Sequence, residues 1–172
     1  GAEITFQDTG SGAYASSSRS STNIISSSTV NVSTSWISNY GTDLNSYSFQ
    51  TYIHEIGHAL GLGHGGNYNG SANYESDALY ANDSWSTTVM SYFSQRENDF
   101  FADQNFTYAF VGTPMGGDIA AITSLYGAST TTRLDDTTYG FNTGLTGSIF
   151  DAVTYASNTA YTIVDNGGND TL

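Results

Sequence analysis

Three histidines lie close together in the sequence, and each has a side chain that can bind a metal ion. They are His54, His58 and His64, within the run HEIGHALGLGH, and the chain contains no other histidine. Residues four apart on a helix share one face, with Cβ atoms about 5–6 Å apart. His54 and His58 can therefore hold one ion between them, and Zn–N bonds of about 2.0–2.1 Å suit that separation. The spacing predicts a zinc site on a helix.

Glu55 follows the first histidine directly, which turns its carboxylate off the ligand axis but keeps it beside the ion. There it can accept a proton from a metal-bound water, so it is a predicted general base and not a ligand. Gly61 and Gly63 lie where the helix has to end, since glycine enters the left-handed region without steric cost. His64 then returns as the third ligand.

The alternative to a catalytic zinc is a structural one. Structural zinc sites are normally closed by four Cys or His ligands. The chain has no cysteine and no fourth histidine. The predicted site therefore keeps an open coordination position, as catalysis requires.

A segment downstream of the histidines contains a methionine followed two residues later by a tyrosine. In Thr88–Phe93 (TVMSYF) these residues are Met90 and Tyr92. Together with the extended histidine motif, this segment resembles the serralysins, secreted bacterial metalloendopeptidases of the metzincin clan. The resemblance implies that Tyr92 reaches the zinc in the resting state and swings away to stabilise the oxyanion. Met90 is expected to form an apolar floor beneath the histidines. Gly65 stands where the family usually has proline.

Composition excludes several classes of partner. The chain has 172 residues with 16 acidic and three basic side chains, for a formal charge of −13. No basic stripe exists to neutralise phosphates, so nucleic-acid binding is not expected, and anionic membranes would repel the chain. No apolar run approaches the ~20 residues of a membrane span. The absence of cysteine excludes disulfides and thiol catalysis, whereas the acidic excess suits calcium binding.

Two segments near the end of the chain carry a second metal prediction. They are RLDDT from Arg133 and DNGGND from Asp165, and they resemble the first calcium site of the serralysin C-terminal β-roll. A plain Asn-Gly turn is the alternative for the second segment. The resemblance implies that Ca²⁺ is bound by backbone or hydroxyl oxygens of Arg133, Asp135, Thr137 and Gly167 and by the carboxylates of Asp165 and Asp170.

The first half of the sequence alternates between strand and loop patterns before a helical period appears. Glu3–Gln7 is predicted to be a short strand and Asp8–Ser21 a loop. Asn23–Ile37 is rich in β-branched residues, which favours one or two exposed-edge strands. Apolar residues then recur every three or four positions, predicting an amphipathic helix over Leu44–Leu60 with Asp43 as its N-cap.

The second half contains one clear helix. Gly65–Ser86 is predicted to be a loop along the substrate cleft, and the aromatic stretch Ser94–Pro114 to be packing or a cleft wall. A helix is predicted to begin at Asp118 and to end at Gly127. A similar helix closes the serralysin protease domain. The composition shifts after it, which places a domain boundary near Ser129.

The elements and the resemblance together predict an α+β fold. Residues 1–128 are expected to form a metzincin-like zinc protease domain, with a mixed twisted sheet, an active-site helix and a C-terminal helix. Residues 129–172 are expected to start a calcium-binding β-roll. Family members carry a further long N-terminal stretch with a helix and several strands, so the sequence is expected to be the C-terminal portion of the protease domain.

The predicted function is that of a secreted, extracellular zinc endopeptidase with one catalytic Zn²⁺, structural Ca²⁺ and protein or peptide substrates. One alternative is a calcium-dependent adhesin or scaffold module with a vestigial zinc site. Another is a non-proteolytic zinc hydrolase, which the Met-Ser-Tyr segment disfavours. The resemblance also implies a small protein inhibitor as a partner. The sequence leaves cleavage specificity and oligomeric state open.

Overall fold

The first three strands form a mixed sheet in this computed structural model, which describes residues 3–155 and 159–172. They are β1 (Glu3–Gln7), β2 (Ala13–Arg19) and β3 (Ile25–Val32), arranged in the order β1-β3-β2. β1 runs parallel to β3, and β2 runs antiparallel to it. β2 is therefore an edge strand whose outer side pairs with no other described strand.

Two features of this sheet differ from the prediction. The segment predicted to be a loop over Asp8–Ser21 contains β2, because pairing along the whole of β3 stabilises a strand whose serines and alanines have little β preference of their own. The hydroxyls of Ser17 and Ser28 are hydrogen-bonded across this pair at 2.8 Å. β3 was predicted to be an exposed edge, but it is the central strand, and its residues Val30 and Val32 are buried.

Two helices follow the sheet, and both begin at a serine. α1 (Thr34–Tyr40) occupies part of the region predicted to be strand, because the Ser33 hydroxyl accepts the N–H of Trp36 at 3.2 Å and caps the helix. α2 (Tyr47–Ala59) confirms the predicted amphipathic helix. Its N-cap is Ser46, not Asp43 as predicted.

α2 packs against β2 and β3, so the histidine motif lies directly over the sheet. The Ser28 hydroxyl donates to the carbonyl oxygen of Ala59 at 3.0 Å and joins β3 to the end of α2. Ala59 itself is buried. The sheet therefore fixes the position of the helix that carries two of the three histidines.

The remaining elements are short apart from one helix. They are α3 (Tyr74–Asp77), α4 (Asp99–Ala102), β4 (Phe110–Val111), α5 (Gly116–Tyr126), α6 (Ala152–Tyr155) and β5 (Thr159–Ala160). α5 confirms the predicted second helix and ends at Gly127 as expected, but it begins two residues before Asp118. The Asp118 carboxylate instead accepts the N–H of Met115 at 2.8 Å. No helix of the described ranges is long and apolar enough to cross a membrane.

Two clusters of buried apolar side chains lie within the described residues. One lies beneath α2 and consists of Trp85, Val89, Met90, Val111 and Met115. The other lies in the C-terminal segment and is built on Tyr139, Ile149 and Phe150. From the aromatic stretch, Phe110 packs on Tyr47 with ring centroids 5.6 Å apart, whereas Phe100 and Phe106 are about half exposed. Packing is therefore the role of Phe110.

A two-stranded sheet connects the two parts of the chain. β4 and β5 pair in parallel, with Phe110 opposite Thr159 and Val111 opposite Ala160. The N–H of Val111 also donates to the Gln50 side-chain oxygen on α2 at 2.7 Å. Residues beyond the predicted boundary near Ser129 thus pair with residues before it, and the boundary itself stays a prediction.

Candidate metal centre

The three histidines meet at the end of α2. His54 and His58 share one face of the helix, and their ring centroids are 4.7 Å apart. The chain turns back at Gly61, which has the predicted positive φ (103°), whereas Gly63 does not. This turn places the ring centroid of His64 4.6 Å from that of His58. One ligand nitrogen from each histidine lies within 4.8 Å of the others, so the set can hold a metal ion.

The hydrogen bonds of the three imidazole rings leave the Nε2 atom of each ring available to bind a metal. Each Nδ1 bonds to a main-chain carbonyl oxygen: His54 to Val89 at 2.8 Å, His58 to Leu62 at 2.9 Å, and His64 to Tyr68 at 2.8 Å. Because a carbonyl oxygen only accepts, each Nδ1 carries the hydrogen and each Nε2 keeps a lone pair. Ligating histidines in proteins are commonly oriented in this way.

The distance between ligand nitrogens also suits a tetrahedral ion. Nε2 of His58 and Nε2 of His64 are 3.0 Å apart. Two nitrogens on a tetrahedral zinc ion are separated by about 3.3 Å, given Zn–N bonds of about 2.0–2.1 Å. This pair is therefore spaced for zinc, and His54 offers a third nitrogen within 4.8 Å of the others.

Burial keeps the imidazoles in the neutral form that binds metals. The pKa of His54 is lowered to about 4, mainly by burial and also by the nearby rings of His58 and His64, while the hydrogen bond to Val89 acts in the opposite direction. Burial also lowers the pKa of His64. At neutral pH both rings are uncharged, so their Nε2 lone pairs are available.

Glu55 lies in the same cleft as His54 and is only 7 % exposed. Burial raises the pKa of its carboxyl to about 7, while a hydrogen bond from the backbone of Ala15 acts in the opposite direction. A buried carboxyl with a pKa near neutrality has the proton affinity of an effective general acid and base. Its position and environment are compatible with the role predicted from the sequence.

Met90 packs directly beneath the histidine-bearing helix, as predicted. It is 2 % exposed and belongs to the apolar cluster under α2. A Cβ atom added to Gly57, the residue before His58, would lie only 2.5 Å from the Met90 sulfur. The glycine therefore leaves the space in which the thioether approaches the helix.

Asp118 makes hydrogen bonds to the segment before Met90 that the sequence did not predict. Its buried carboxylate accepts the N–H of Val89 at 2.9 Å and a hydrogen bond from the Thr88 hydroxyl. Val89 in turn presents its carbonyl oxygen to His54. Asp118 was predicted only as the start of a helix, and no local signal links it to the distant Met90 segment.

Tyr92 lies beside the histidines. Its ring centroid is 4.6 Å from that of His64 and 6.0 Å from that of His54. Its hydroxyl accepts the N–H of Gly70 at 3.3 Å. The structure thus brings the predicted tyrosine to the site, and its roles as ligand and oxyanion donor stay predictions.

A cleft of about 490 Å³ opens next to His54 and Glu55. Residues 69–72 form part of its wall, in agreement with the prediction that this loop follows the cleft. Its other walls include Ala13 of β2 and the aromatic side chains of Trp36, Tyr47, Trp85 and Tyr92. The cleft gives an extended chain access to the side chains of His54 and Glu55.

The two segments of the predicted calcium site lie side by side. The N–H of Asn166 donates to the Thr132 carbonyl oxygen at 2.9 Å. The N–H of Thr137 donates to an Asp170 carboxylate oxygen, also at 2.9 Å. The structure therefore brings together the two stretches that the sequence placed in one site.

Individual residues of this site are also hydrogen-bonded. The Asp165 carboxylate accepts the N–H of Gly167 at 3.1 Å and the hydroxyl of Tyr139, whose hydrogen bond is the main cause of a lowered Asp165 pKa. The Thr137 hydroxyl donates to the Asp135 carbonyl oxygen at 3.1 Å. The Arg133 guanidinium donates to the backbone of Val164 at 2.7 Å. Calcium binding here stays a prediction.

Comparison with known proteins points to peptidases. The sequence model of the metallo-peptidase family M12B, reprolysin-like, matches residues 5–121. Serralysin from Photorhabdus luminescens is 42 % identical over 139 residues, which cover 78 % of this chain and 28 % of the relative. Serralysin C from Dickeya chrysanthemi is 44 % identical over 149 residues, 85 % of this chain and 30 % of the relative.

A third relative has the same pattern. Metallopeptidase AprA from Pseudomonas marginalis is 42 % identical over 141 residues, which cover 80 % of this chain and 29 % of the relative. The matched region thus spans less than a third of each of these proteins.

Proposed function

Because this chain belongs to the metzincin metallopeptidases of the serralysin family, we propose that it acts as a zinc-dependent endopeptidase on protein or peptide substrates. The observation that carries this proposal is the orientation of the three imidazoles. Each has its Nδ1 bound to a carbonyl oxygen, and the three ligand nitrogens lie close together. His54 also shares an open cleft with the buried Glu55 carboxyl group. The family match explains why such a set is present.

The proposed mechanism assigns one task to each group. A bound zinc ion supplies Lewis acidity, which polarises a peptide carbonyl and lowers the pKa of water. Glu55 accepts the proton of the attacking water and then transfers it to the leaving amine. The Tyr92 hydroxyl donates a hydrogen bond to the developing oxyanion. The proximity of its ring to His64, with centroids 4.6 Å apart, supports this role.

The edge strand β2 is the proposed docking site for the substrate backbone. Its outer side pairs with no described strand, Ala13 lines the cleft, and the backbone of Ala15 reaches the Glu55 carboxylate. An extended peptide can add to such an edge through main-chain hydrogen bonds. Docking there would place its backbone next to Glu55, where the peptide bond is to be cleaved.

Calcium is proposed as a structural ion at the second site. Support comes from the contact between the two segments and from the carboxylates of Asp165 and Asp170, since calcium prefers oxygen ligands. Secretion and a protein inhibitor are further proposals that rest on the serralysin resemblance. The relatives are named as peptidases, which does not favour the adhesin or scaffold alternative.

Casein hydrolysis by the purified chain tests the endopeptidase proposal. We expect the zinc-loaded protein to cleave casein, to stop when 1,10-phenanthroline is added, and to recover when zinc is restored. The isomer 1,7-phenanthroline, which does not chelate, serves as the matched control and should leave hydrolysis unchanged. A zinc-loaded protein without any cleavage of casein would refute the proposal and favour the scaffold alternative.

A Tyr92→Phe substitution tests the oxyanion donor. We expect kcat for a quenched peptide to fall by about a hundredfold with KM little changed, because the lost hydrogen bond forms only in the transition state. Tyr80→Phe is the matched control, since Tyr80 is 65 % exposed and lies outside the cleft. An unchanged kcat in Tyr92→Phe would remove this residue from the mechanism.

A further inference from the structure

The third histidine is held by a residue that the mechanism does not use. His64 donates its Nδ1–H to the carbonyl oxygen of Tyr68 at 2.8 Å. The Tyr68 ring also stacks on the His64 ring, with centroids 5.7 Å apart and planes inclined by 22°. Tyr68 therefore constrains both the tautomer and the plane of this imidazole.

Tyr68 is itself fixed by a buried carboxylate. Its hydroxyl donates to both oxygens of Asp83, each at 3.1 Å. Tyr68 is 6 % exposed and Asp83 is 3 % exposed, so water competes little for this contact. A buried carboxylate needs such donors, because an unpaired one is costly to bury.

The same hydroxyl connects to Tyr92. It accepts the N–H of Tyr92 at 3.3 Å, and the rings of Tyr68 and Tyr92 are 4.8 Å apart. One tyrosine thus contacts both the third histidine and the proposed oxyanion donor. The Nδ1 atoms of the other two histidines bond instead to the main-chain carbonyl oxygens of Val89 and Leu62.

Gly65 gives the carboxylate its space. A Cβ atom at this position would lie 2.4 Å from an Asp83 oxygen and 3.1 Å from the Tyr68 hydroxyl. The residue directly after His64 therefore has to be small for the Asp83–Tyr68 pair to fit against the third-ligand loop. Tyr68 and Asp83 are both buried next to Gly65, so a larger side chain at position 65 would clash with them.

We propose that Tyr68 and Asp83 are positioning residues that hold His64 in its ligating orientation relative to Tyr92 and thereby set the affinity of the site for zinc. This inference rests on the proposed zinc function. Residues that orient a ligating histidine typically contribute tenfold to a hundredfold to metal affinity. Neither residue lines the cleft beside His54 and Glu55, and the proposed mechanism gives neither of them a part in proton transfer.

The first test compares two tyrosines in the same neighbourhood. The zinc dissociation constant is measured by competition with a chromophoric chelator on the purified, folded chain. We expect Tyr68→Phe to bind zinc about tenfold more weakly than the unaltered protein. The matched control is Tyr74→Phe, because the Tyr74 ring also packs on Phe93, at 5.4 Å against 5.1 Å for Tyr68, and its hydroxyl donates only to Ala81.

Variants at Asp83 provide a second test of the proposal, which remains valid even if the Tyr68 variant does not fold. Asp83→Leu keeps the branching and the number of heavy atoms of the aspartate side chain, although its methyl groups are larger than the carboxylate oxygens, and it accepts no hydrogen bond. We expect it to weaken zinc binding to the same extent as Tyr68→Phe. Asp83→Asn keeps one accepting oxygen for the Tyr68 hydroxyl and should stay within about threefold of the unaltered affinity. Rescue by the conservative variant would identify the hydrogen bond as the cause.

A purely structural role gives a different result. Urea unfolding of the metal-free proteins measures stability separately from metal affinity. If Tyr68→Phe and Asp83→Leu lose stability but bind zinc as tightly as the unaltered protein, the positioning inference is wrong and the zinc function stands. If the unaltered protein binds no zinc, the proposed function itself fails.

Discussion

Replacement of Glu55 by glutamine is expected to lower the turnover of a quenched peptide by about a thousandfold, because general acid–base catalysis contributes between about a hundredfold and ten-thousandfold. Glutamine has nearly the same shape but cannot accept the proton of the attacking water. Glu55→Ala should lose as much. Zinc content, measured by elemental analysis, is expected to be unchanged in both variants, since the three imidazoles and their carbonyl partners remain.

Glu75→Gln is the matched control for this substitution. Glu75 is exposed on α3 and does not line the cleft beside His54 and Glu55. Its replacement should therefore leave both turnover and zinc content unchanged. Turnover near the unaltered level in Glu55→Gln would contradict the assignment of the general base. Loss of zinc in that variant would instead place the carboxylate among the ligands.

Addition of zinc is expected to raise the melting temperature of the metal-free protein by about 10 °C. At a zinc concentration a thousandfold above the dissociation constant, binding to the folded state alone stabilises it by about 4 kcal/mol. For a domain of this size each kcal/mol shifts the midpoint by about 2–4 °C. Differential scanning calorimetry with and without zinc measures the shift.

A His58→Ala substitution should abolish most of this shift, because it removes the nitrogen that lies 3.0 Å from the His64 ligand atom. Magnesium is the control ion, since it prefers oxygen ligands in octahedral geometry and should have no effect through imidazoles. An equal zinc-induced shift in His58→Ala would mean that the ion binds elsewhere in the protein.

The sequence predicted the elements in which local pattern and final environment agree. The apolar period before His54 identified α2, and the glycine at position 127 marked the end of α5. It did not predict β2, because Ala13–Arg19 is rich in serine and alanine and becomes a strand only through pairing with β3. The strand prediction also failed at Thr34–Tyr40, where the Ser33 cap favours a helix.

The candidate site shows the same division. The ligand set and the neighbouring carboxylate follow from spacing within one helix and one turn, which sequence can express. The residues that orient the ligands cannot be predicted in this way. Asp83 contacts Tyr68 from fifteen positions away, and Asp118 contacts Val89 from twenty-nine positions away. Such contacts depend on how the elements pack. Nothing in the sequence distinguishes these two aspartates from the other aspartates of the chain. Gly65 offered a hint, as a departure from the family's usual proline, but its reason became visible only in three dimensions.

The pairing of β4 with β5 has a consequence for the order in which the protein forms during synthesis. The ribosome releases the chain from its N-terminus, so the three histidines emerge long before Thr159 and Ala160. Until then β4 has no β5 to pair with, although it already reaches α2 through Gln50. Closing so long a loop is slower than forming a helix. We therefore expect the helix that carries His54 and His58 to form before β4 pairs with β5, because that pairing has to wait until β5 has been synthesised.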